Sequence, residues 1–361
     1  MAAARGVAFV GAGFISYSHN LSVRAYGARL VAMASQTRRT AEHRARIFGT
    51  EPYTFDTLEA MLTRSDVDVV FVLSPNALHA RHANAAIAAG KHIVIEKPMA
   101  LTVADAEGIV ATAQRHGVGI GYAENQVFSP VMVRARELVA EGAVGRVRRV
   151  VGFCGHGGPP KGTWFWDPKW AGGGAQFDMG SHTVAASLDL VGWPEVKAIE
   201  RARLLDHPSG VDGRAEATLI AANGIELDVT SSFVETNDSM WYEIHGEAGV
   251  LRATFSPAPF AQDLTLTPKG GASRGIDIPH RGEVMQVSGY LRSMGYLDQV
   301  SHFLECFESG RTPRPSGADG VRVVRILLGI YLAAGRGRGV TLDEIPTDRL
   351  PLELWKSLPR S

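Results

Sequence analysis

The rhythm of the first 124 residues constrains this chain more than any other feature. Apolar runs ("GVAFV" ahead of a glycine turn, "ARLVAMAS", "VDVVFVL", "HIVIEKP" and "VGIGYAEN") alternate with stretches of helical character ("TAEHRARIFG", "LEAMLTRS", "HARHANAAIAAG" and "VADAEGIVATAQRHG"). A strand that is apolar on both faces is buried on both faces, which happens where helices cover a parallel sheet from above and below. The pattern predicts an α/β fold class with a Rossmann-type, doubly wound parallel sheet over residues 1–124.

A chain of 361 residues exceeds the usual single core, so a second domain is expected over residues 125–361. The grammar changes there. "RVRRVVGFCG", "AEATLIAANGIELDVTSSFV", "MWYEIHGEAGVLRATF" and "DLTLTPKG" are strand-like runs joined by turn residues, with Asn223-Gly224 a hairpin signal. They predict an α+β domain with a large, mostly antiparallel open sheet. Helices are expected in "VMVRARELVAEG", "QFDMGSHTVAASLDLVG", "YLDQVSHFLECFESG" and "DGVRVVRILLGIYLAAGRG", the last two free to pack back on the first domain. An open sheet face suits a second copy of the chain, so a homodimer or homotetramer is the expected assembly.

Composition narrows the partners. The 37 basic and 37 acidic residues balance, which removes the electrostatic case for nucleic acid or an anionic membrane. Cys154 and Cys306 make no CxxC or zinc-like spacing, and neither a signal peptide nor a membrane-spanning apolar run is evident. The expectation is a cytoplasmic protein without a metal, acting on a small molecule.

Chemistry enters at the first turn, Gly11-Ala12-Gly13-Phe14-Ile15-Ser16. It follows a strand and opens a helix, the setting in which Gly11 permits a tight turn and Gly13 lets backbone approach a pyrophosphate at the helix N-terminus. The third position of the fingerprint holds Ser16, still small enough for close packing. Gly11, Gly13, Phe14 and Ile15 are therefore candidate dinucleotide contacts. At the end of the second strand, "ASQTRRT" has Ser35 where an NAD site places an acid, followed by Thr37, Arg38 and Arg39. Hydroxyls and guanidinium groups suit a 2′-phosphate and favour NADP(H), with NAD(H) possible. The alternative is a solvated basic start to the next helix.

Two further strings stand out. "IVIEKPMA" delivers Glu96, Lys97 and Pro98 at the end of a core strand, where the lysine either reaches plain solvent or faces a cavity. "WAGGGAQFDMGSHTVAASLDLVG" places Gly172, Gly173 and Gly174 ahead of a helix on which Asp178 and His182 are four residues apart, on one face. Such a pair is either an ordinary surface pair or an acid/base pair. The glycine run leans to function, because it allows a ligand or another backbone to come close.

"EKP" in this position, together with "GGGAxxDxGxH" in an antiparallel domain, resembles the Gfo/Idh/MocA family, which includes glucose-fructose oxidoreductase and inositol dehydrogenases. "SPNALHARHANAAIAAGKHIVIEKPMA", "YAENQVFSPVMVRARELVAEGAVGRV" and "SGADGVRVVRILLGIYLAAGRGRGV" extend the resemblance over nearly the whole chain. It implies an NAD(P)-dependent oxidoreductase that interconverts a secondary ring hydroxyl and a ketone of a sugar, glycoside or cyclitol. It also implies Lys97 facing the nicotinamide and the reacting hydroxyl, Glu96 on the cofactor side, His182 as general base and Asp178 on the substrate hydroxyls. The Ser74-Pro75-Asn76 turn, His79 and Asn125 are further cofactor candidates, although His79 also fits a helix-start histidine exposed to water. Gln126, Trp164, Trp166 and Asp167 are candidate substrate contacts, the aromatics, with Phe165, forming either a wall against a sugar or aglycone or the packing of their own loop. Two other activities suit the same fold: a redox-recycling enzyme that cleaves glycosides, and a non-enzymatic dinucleotide sensor.

Overall fold

The computed structural model describes residues 6–255, 262–278 and 287–356. The chain divides into two compact units, one of residues 1–124 with 296–322, the other of residues 125–295 with 323–361.

The first unit runs β1 (Gly6–Val10), α1 (Ile15–Tyr26), β2 (Arg29–Ser35), α2 (Arg38–Phe48), β3 (Glu51–Thr54), α3 (Leu58–Leu62), β4 (Val69–Val72), α4 (His79–Ala88), β5 (His92–Glu96), α5 (Val103–His116) and β6 (Ile120–Ala123). Its six strands lie in the order β3-β2-β1-β4-β5-β6, every pair parallel. Every residue of β1 and β4 is buried, as their uninterrupted apolar sequences require. The chain order reverses between β1 and β4, and the crevice at the carboxyl ends of those strands is where open α/β sheets take ligands. The sequence pattern shows five strands. The sixth, β3, is a half-exposed "EPYT" at the sheet edge whose proline and polar residues hide it from an apolar-run reading.

The second unit contains α6 (Pro130–Ala140), β7 (Val147–Gly155), α7 (Pro168–Ala171), α8 (Ala175–Leu190), β8 (Val196–Asp206), β9 (Asp212–Ala221), β10 (Glu226–Ser232), β11 (Ser239–Gly246), β12 (Gly249–Phe255), β13 (Gln262–Pro268), β14 (Arg274–Gly275) and α9 (Val287–Ser293). After these come α10 (Tyr296–Ser309), α11 (Gly317–Arg336), β15 (Val340–Thr341) and α12 (Pro351–Lys356). The α10 helix belongs to the first unit, where it packs on α1.

The nine-stranded sheet has the order β14-β13-β12-β11-β7-β10-β9-β8-β15 and is antiparallel except for the β7–β10 pair. The β9–β10 hairpin turns at Asn223-Gly224, Gly224 taking φ 81°, as the dipeptide predicts. Helix α8 covers β7, β9 and β10, and α6 covers β12 and β13. The opposite face carries Phe153 stacked on Trp241 at 5.8 Å, with Arg252 over the Trp241 ring at 4.7 Å. The 11-residue β8 is absent from the sequence reading because three register shifts against β9 break its period-two pattern. Among the described residues, no helix is long and apolar enough to cross a membrane.

Candidate active site

In the first unit the glycine turn is built for an anion. Gly11 has φ 126°, and a Cβ there would lie 2.3 Å from the Leu73 carbonyl oxygen, so only glycine passes the end of β4. A Cβ on Gly13 would meet nothing within 4 Å, which leaves backbone open to an incoming group. Ser16 is buried and donates its hydroxyl to the Gly13 carbonyl at 2.6 Å, closing the turn. Helix α1 then starts at Ile15 with no side-chain cap and no acidic residue in its first turn, Phe14 standing exposed beside it. Uncapped N–H groups at a helix start favour phosphate oxygens, so these residues fit a dinucleotide pyrophosphate.

At the end of β2, Ser35 is buried while Thr37 turns its hydroxyl to cap α2, accepting the Thr40 N–H at 3.2 Å. Arg38 lies on the exposed side of α2, 2.6 Å from Glu42, and Arg39 is exposed. Arg38 thus makes an ordinary helix-surface pair, as in the solvated-helix alternative.

The strand end at Lys97 is held from both flanks. The Glu96 carboxylate accepts the Lys97 backbone N–H at 3.1 Å through one oxygen and meets His19 Nε2 at 2.7 Å through the other. The Lys97–Pro98 bond is cis. Beyond it, His79 bridges two strand ends, with Nδ1 2.8 Å from the Pro98 carbonyl oxygen and Nε2 2.7 Å from that of Ser74. His79 is buried, so it is not the water-exposed helix-start residue the sequence allows, and its ring nitrogens face backbone carbonyls. Burial holds its pKa below the ordinary histidine value. The Ser74 hydroxyl is engaged with His82, 2.9 Å away, whose pKa burial pulls down to about 4. Pro75 leads into a short 3-10 turn that starts at Asn76, a buried residue.

In the second unit Asp178 and His182 ride on α8. Fifteen of its 16 residues are buried and Asp178 is the exception. A surface-helix pair is therefore not the right description. The start of the helix is clamped by a residue absent from the sequence reading. Buried Asp212 accepts the Gly174 N–H at 2.8 Å, the Gln176 N–H at 2.7 Å and the Tyr331 hydroxyl. Burial pushes the Asp212 pKa upward against these three donors. The glycine run is explained by the same contact: a Cβ on Gly174 would lie 1.9 Å from the Asp212 carbonyl oxygen, and one on Gly173 2.2 Å from the Tyr331 hydroxyl. Of the two uses open to the run, the structure shows close approach of another part of the chain.

The remaining candidates are engaged within their own unit. Gln126 is buried, its amide oxygen accepting the Tyr242 hydroxyl at 2.8 Å and its nitrogen against Met240 Sδ at 3.1 Å and Cys154 Sγ at 3.4 Å. The amide therefore faces the interior of the unit. Asn125 is buried too and donates to the Met294 carbonyl at 2.6 Å. Trp166 packs its own loop, stacking on His207 at 4.4 Å and donating to the Pro159 carbonyl at 3.0 Å. Asp167 caps α7 through the Lys169 N–H at 3.0 Å. Trp164, half-buried and stacked on Phe165 at 3.9 Å, retains ring surface.

Residues 5–124 match the model of the GFO/IDH/MocA oxidoreductase family with its NAD-binding Rossmann fold, and residues 132–252 match the GFO/IDH/MocA C-terminal domain. The chain belongs to the Gfo/Idh/MocA family. It is 30% identical over 294 residues to D-xylose 1-dehydrogenase (NADP(+)) 2 of Haloferax volcanii, covering 81% of this chain and 86% of that one. It is 32% identical over 203 residues to the D-glucoside 3-dehydrogenase of Escherichia coli, covering 54% of this chain and 56% of that one. The crystal structure of aldose-aldose oxidoreductase from Caulobacter crescentus, complexed with glycerol, superposes with a TM-score of 0.81 at 28% identity, covering 94% of this chain and 99% of the other. As a Gfo/Idh/MocA member the protein is an NAD(P)-dependent oxidoreductase.

Proposed function

We propose that the protein interconverts a secondary ring hydroxyl and the corresponding ketone of a sugar, glycoside or cyclitol, with NADP(H) as the favoured dinucleotide. The observation that carries this reading is a lysine presented at the carboxyl end of a Rossmann strand by a turn held on both sides, in the same sheet as a first turn that fits a pyrophosphate. The relatives named for D-xylose and D-glucoside oxidation support the substrate class. When bound, the dinucleotide supplies a nicotinamide that takes or returns a hydride. The chain does the rest. Lys97 Nζ donates to the substrate oxygen and stabilises negative charge as the hydroxyl ionises. The His182 imidazole receives that proton, the task for which histidine is suited near neutral pH. Asp178 accepts hydrogen bonds from neighbouring hydroxyls and orients the ring.

Absorbance of the reduced nicotinamide, followed with NAD or NADP and a panel of sugars, cyclitols and aryl glycosides, tests the reading. A signal with one polyol that collapses in Lys97→Ala supports it. Silence across the panel with dinucleotide bound rejects it in favour of an enzyme that recycles its cofactor, or of a sensor. Because Trp164 retains ring surface, an aryl glycoside is expected to turn over better than its free sugar; equal or better use of the free sugar removes that substrate class.

The dinucleotide preference has its own test. Ser35→Asp sets a carboxylate against a 2′-phosphate and is expected to raise KM for NADP by roughly 100-fold, about 3 kcal/mol of like-charge repulsion. An unchanged NADP/NAD ratio would refute the assignment of Ser35. We further propose that the sheet face carrying Phe153 and Trp241 pairs with a second copy. Light scattering should show a dimer or tetramer that Trp241→Asp dissociates, and a monomeric wild-type protein would contradict it.

A further inference from the structure

His19 sits inside α1 with its side chain fully buried, ringed by Phe9, Phe71 and Tyr296 at centroid distances of 6.5, 5.3 and 5.9 Å. A polar ring in an aromatic enclosure is costly unless a hydrogen bond compensates. It makes one. A carboxylate only accepts, so Nε2–H donates to Glu96 Oε1 at 2.7 Å, while Nδ1 has no hydrogen-bond partner among the described residues. The second oxygen of Glu96 takes the Lys97 backbone N–H. The result is one line of contacts, from α1 through the largely buried carboxylate of Glu96 to the residue that follows β5.

We propose that His19 is a positioning residue for Lys97, acting through the Glu96 carboxylate. The inference rests on the role given to Lys97 above. Without the His19 bond, Glu96 is free to leave the rotamer in which it receives the Lys97 N–H, and Lys97 loses a fixed base for its side chain. Displacements of about 1 Å at a reacting group cost on the order of 100-fold in rate.

Electrostatics give the inference a second signature. The groups facing Glu96 are His19 on α1, Lys97 beyond β5, His79 at the start of α4 and Tyr122 on β6. Burial pushes the Glu96 pKa up; the hydrogen bond and charge of His19, followed by Lys97, outweigh it and hold the pKa below the ordinary glutamate value of 4.5. A depressed folded-state pKa contributes stability that is present above the unfolded value and lost as pH falls through the folded one. With His19 removed, the largest influence that lowers the Glu96 pKa is gone, so the stability its ionisation contributes above pH 4.5 shrinks.

The test uses the full chain with His19→Leu, His19→Gln and Lys97→Ala, measuring kcat and KM with substrate and the melting temperature of ligand-free protein at pH 4.5 and 7. Expected for His19→Leu is a kcat loss of about 100-fold, with KM changed far less, and a melting deficit larger at pH 7 than at pH 4.5. His19→Gln, whose amide N–H keeps the donation to Glu96, should recover most of the lost kcat. Equal kcat losses in the two variants, or a melting deficit independent of pH, would show a packing role and overturn the proposal. If His19→Leu does not fold, the cycle of His19→Asn, whose shorter side chain does not reach Glu96, with Glu96→Gln decides: non-additive losses support the coupling and additive ones reject it. Full turnover in Lys97→Ala removes the role of Lys97 and this inference with it. An inactive Lys97→Ala beside an unaffected His19→Leu removes the inference alone.

Discussion

Asp212→Ala is expected to lower the melting temperature by roughly 10 °C, the equivalent of about 4 kcal/mol in a unit of this size. The substitution leaves three donors, the Gly174 and Gln176 N–H groups and the Tyr331 hydroxyl, buried without their acceptor. Each orphaned group costs about 1–3 kcal/mol before relaxation. Gly174→Ala should act on the same contact from the other side, because its methyl would overlap the Asp212 backbone. Both changes loosen the first turn of α8, which carries Asp178, so activity should fall at temperatures where the protein is still folded. Differential scanning fluorimetry beside activity at 20 °C checks both points, and a shift under about 3 °C in Asp212→Ala would show that water or a neighbour satisfies the donors.

Lys97→Ala is expected to lower kcat by 100- to 10,000-fold, the range of about 10²–10⁴ typical of groups that assist proton transfer. Dinucleotide affinity should change little, because the glycine turn and the start of α1 that fit the pyrophosphate lie on other residues. Fluorescence titration with reduced dinucleotide separates the two effects. A kcat within about tenfold of wild type would remove Lys97 from the chemistry. Loss of dinucleotide binding together with kcat would instead make it a cofactor-holding residue.

How much of this was legible beforehand differs from residue to residue. The strands β1, β4, β5 and β6 could be read because a sheet covered on both faces demands unbroken apolar runs, and Gly11 because its φ and its distance from Leu73 admit no side chain. The edge strand β3 could not, since an exposed edge tolerates proline and charge, nor could β8, whose register shifts against β9 break the period-two pattern. Trp166 and Asp167 carry the residue types of a sugar site, yet one packs its loop and the other caps a helix. His79 was visible as a residue of interest, but its two carbonyl partners lie 5 and 19 residues away in sequence.

The sequence by itself determined the architecture, the family and the residue types available for the reaction, because period, glycine placement and local motifs act over a few neighbouring residues. Only the tertiary structure decided what holds those residues. Asp212 is 38 residues from Gly174 and 119 from Tyr331, and His19 is 77 from Glu96. Contacts of that separation leave no periodic trace in the chain. They exist because strand order and helix packing bring distant segments together, and a buried carboxylate or imidazole is tolerated only where that folding supplies its partner.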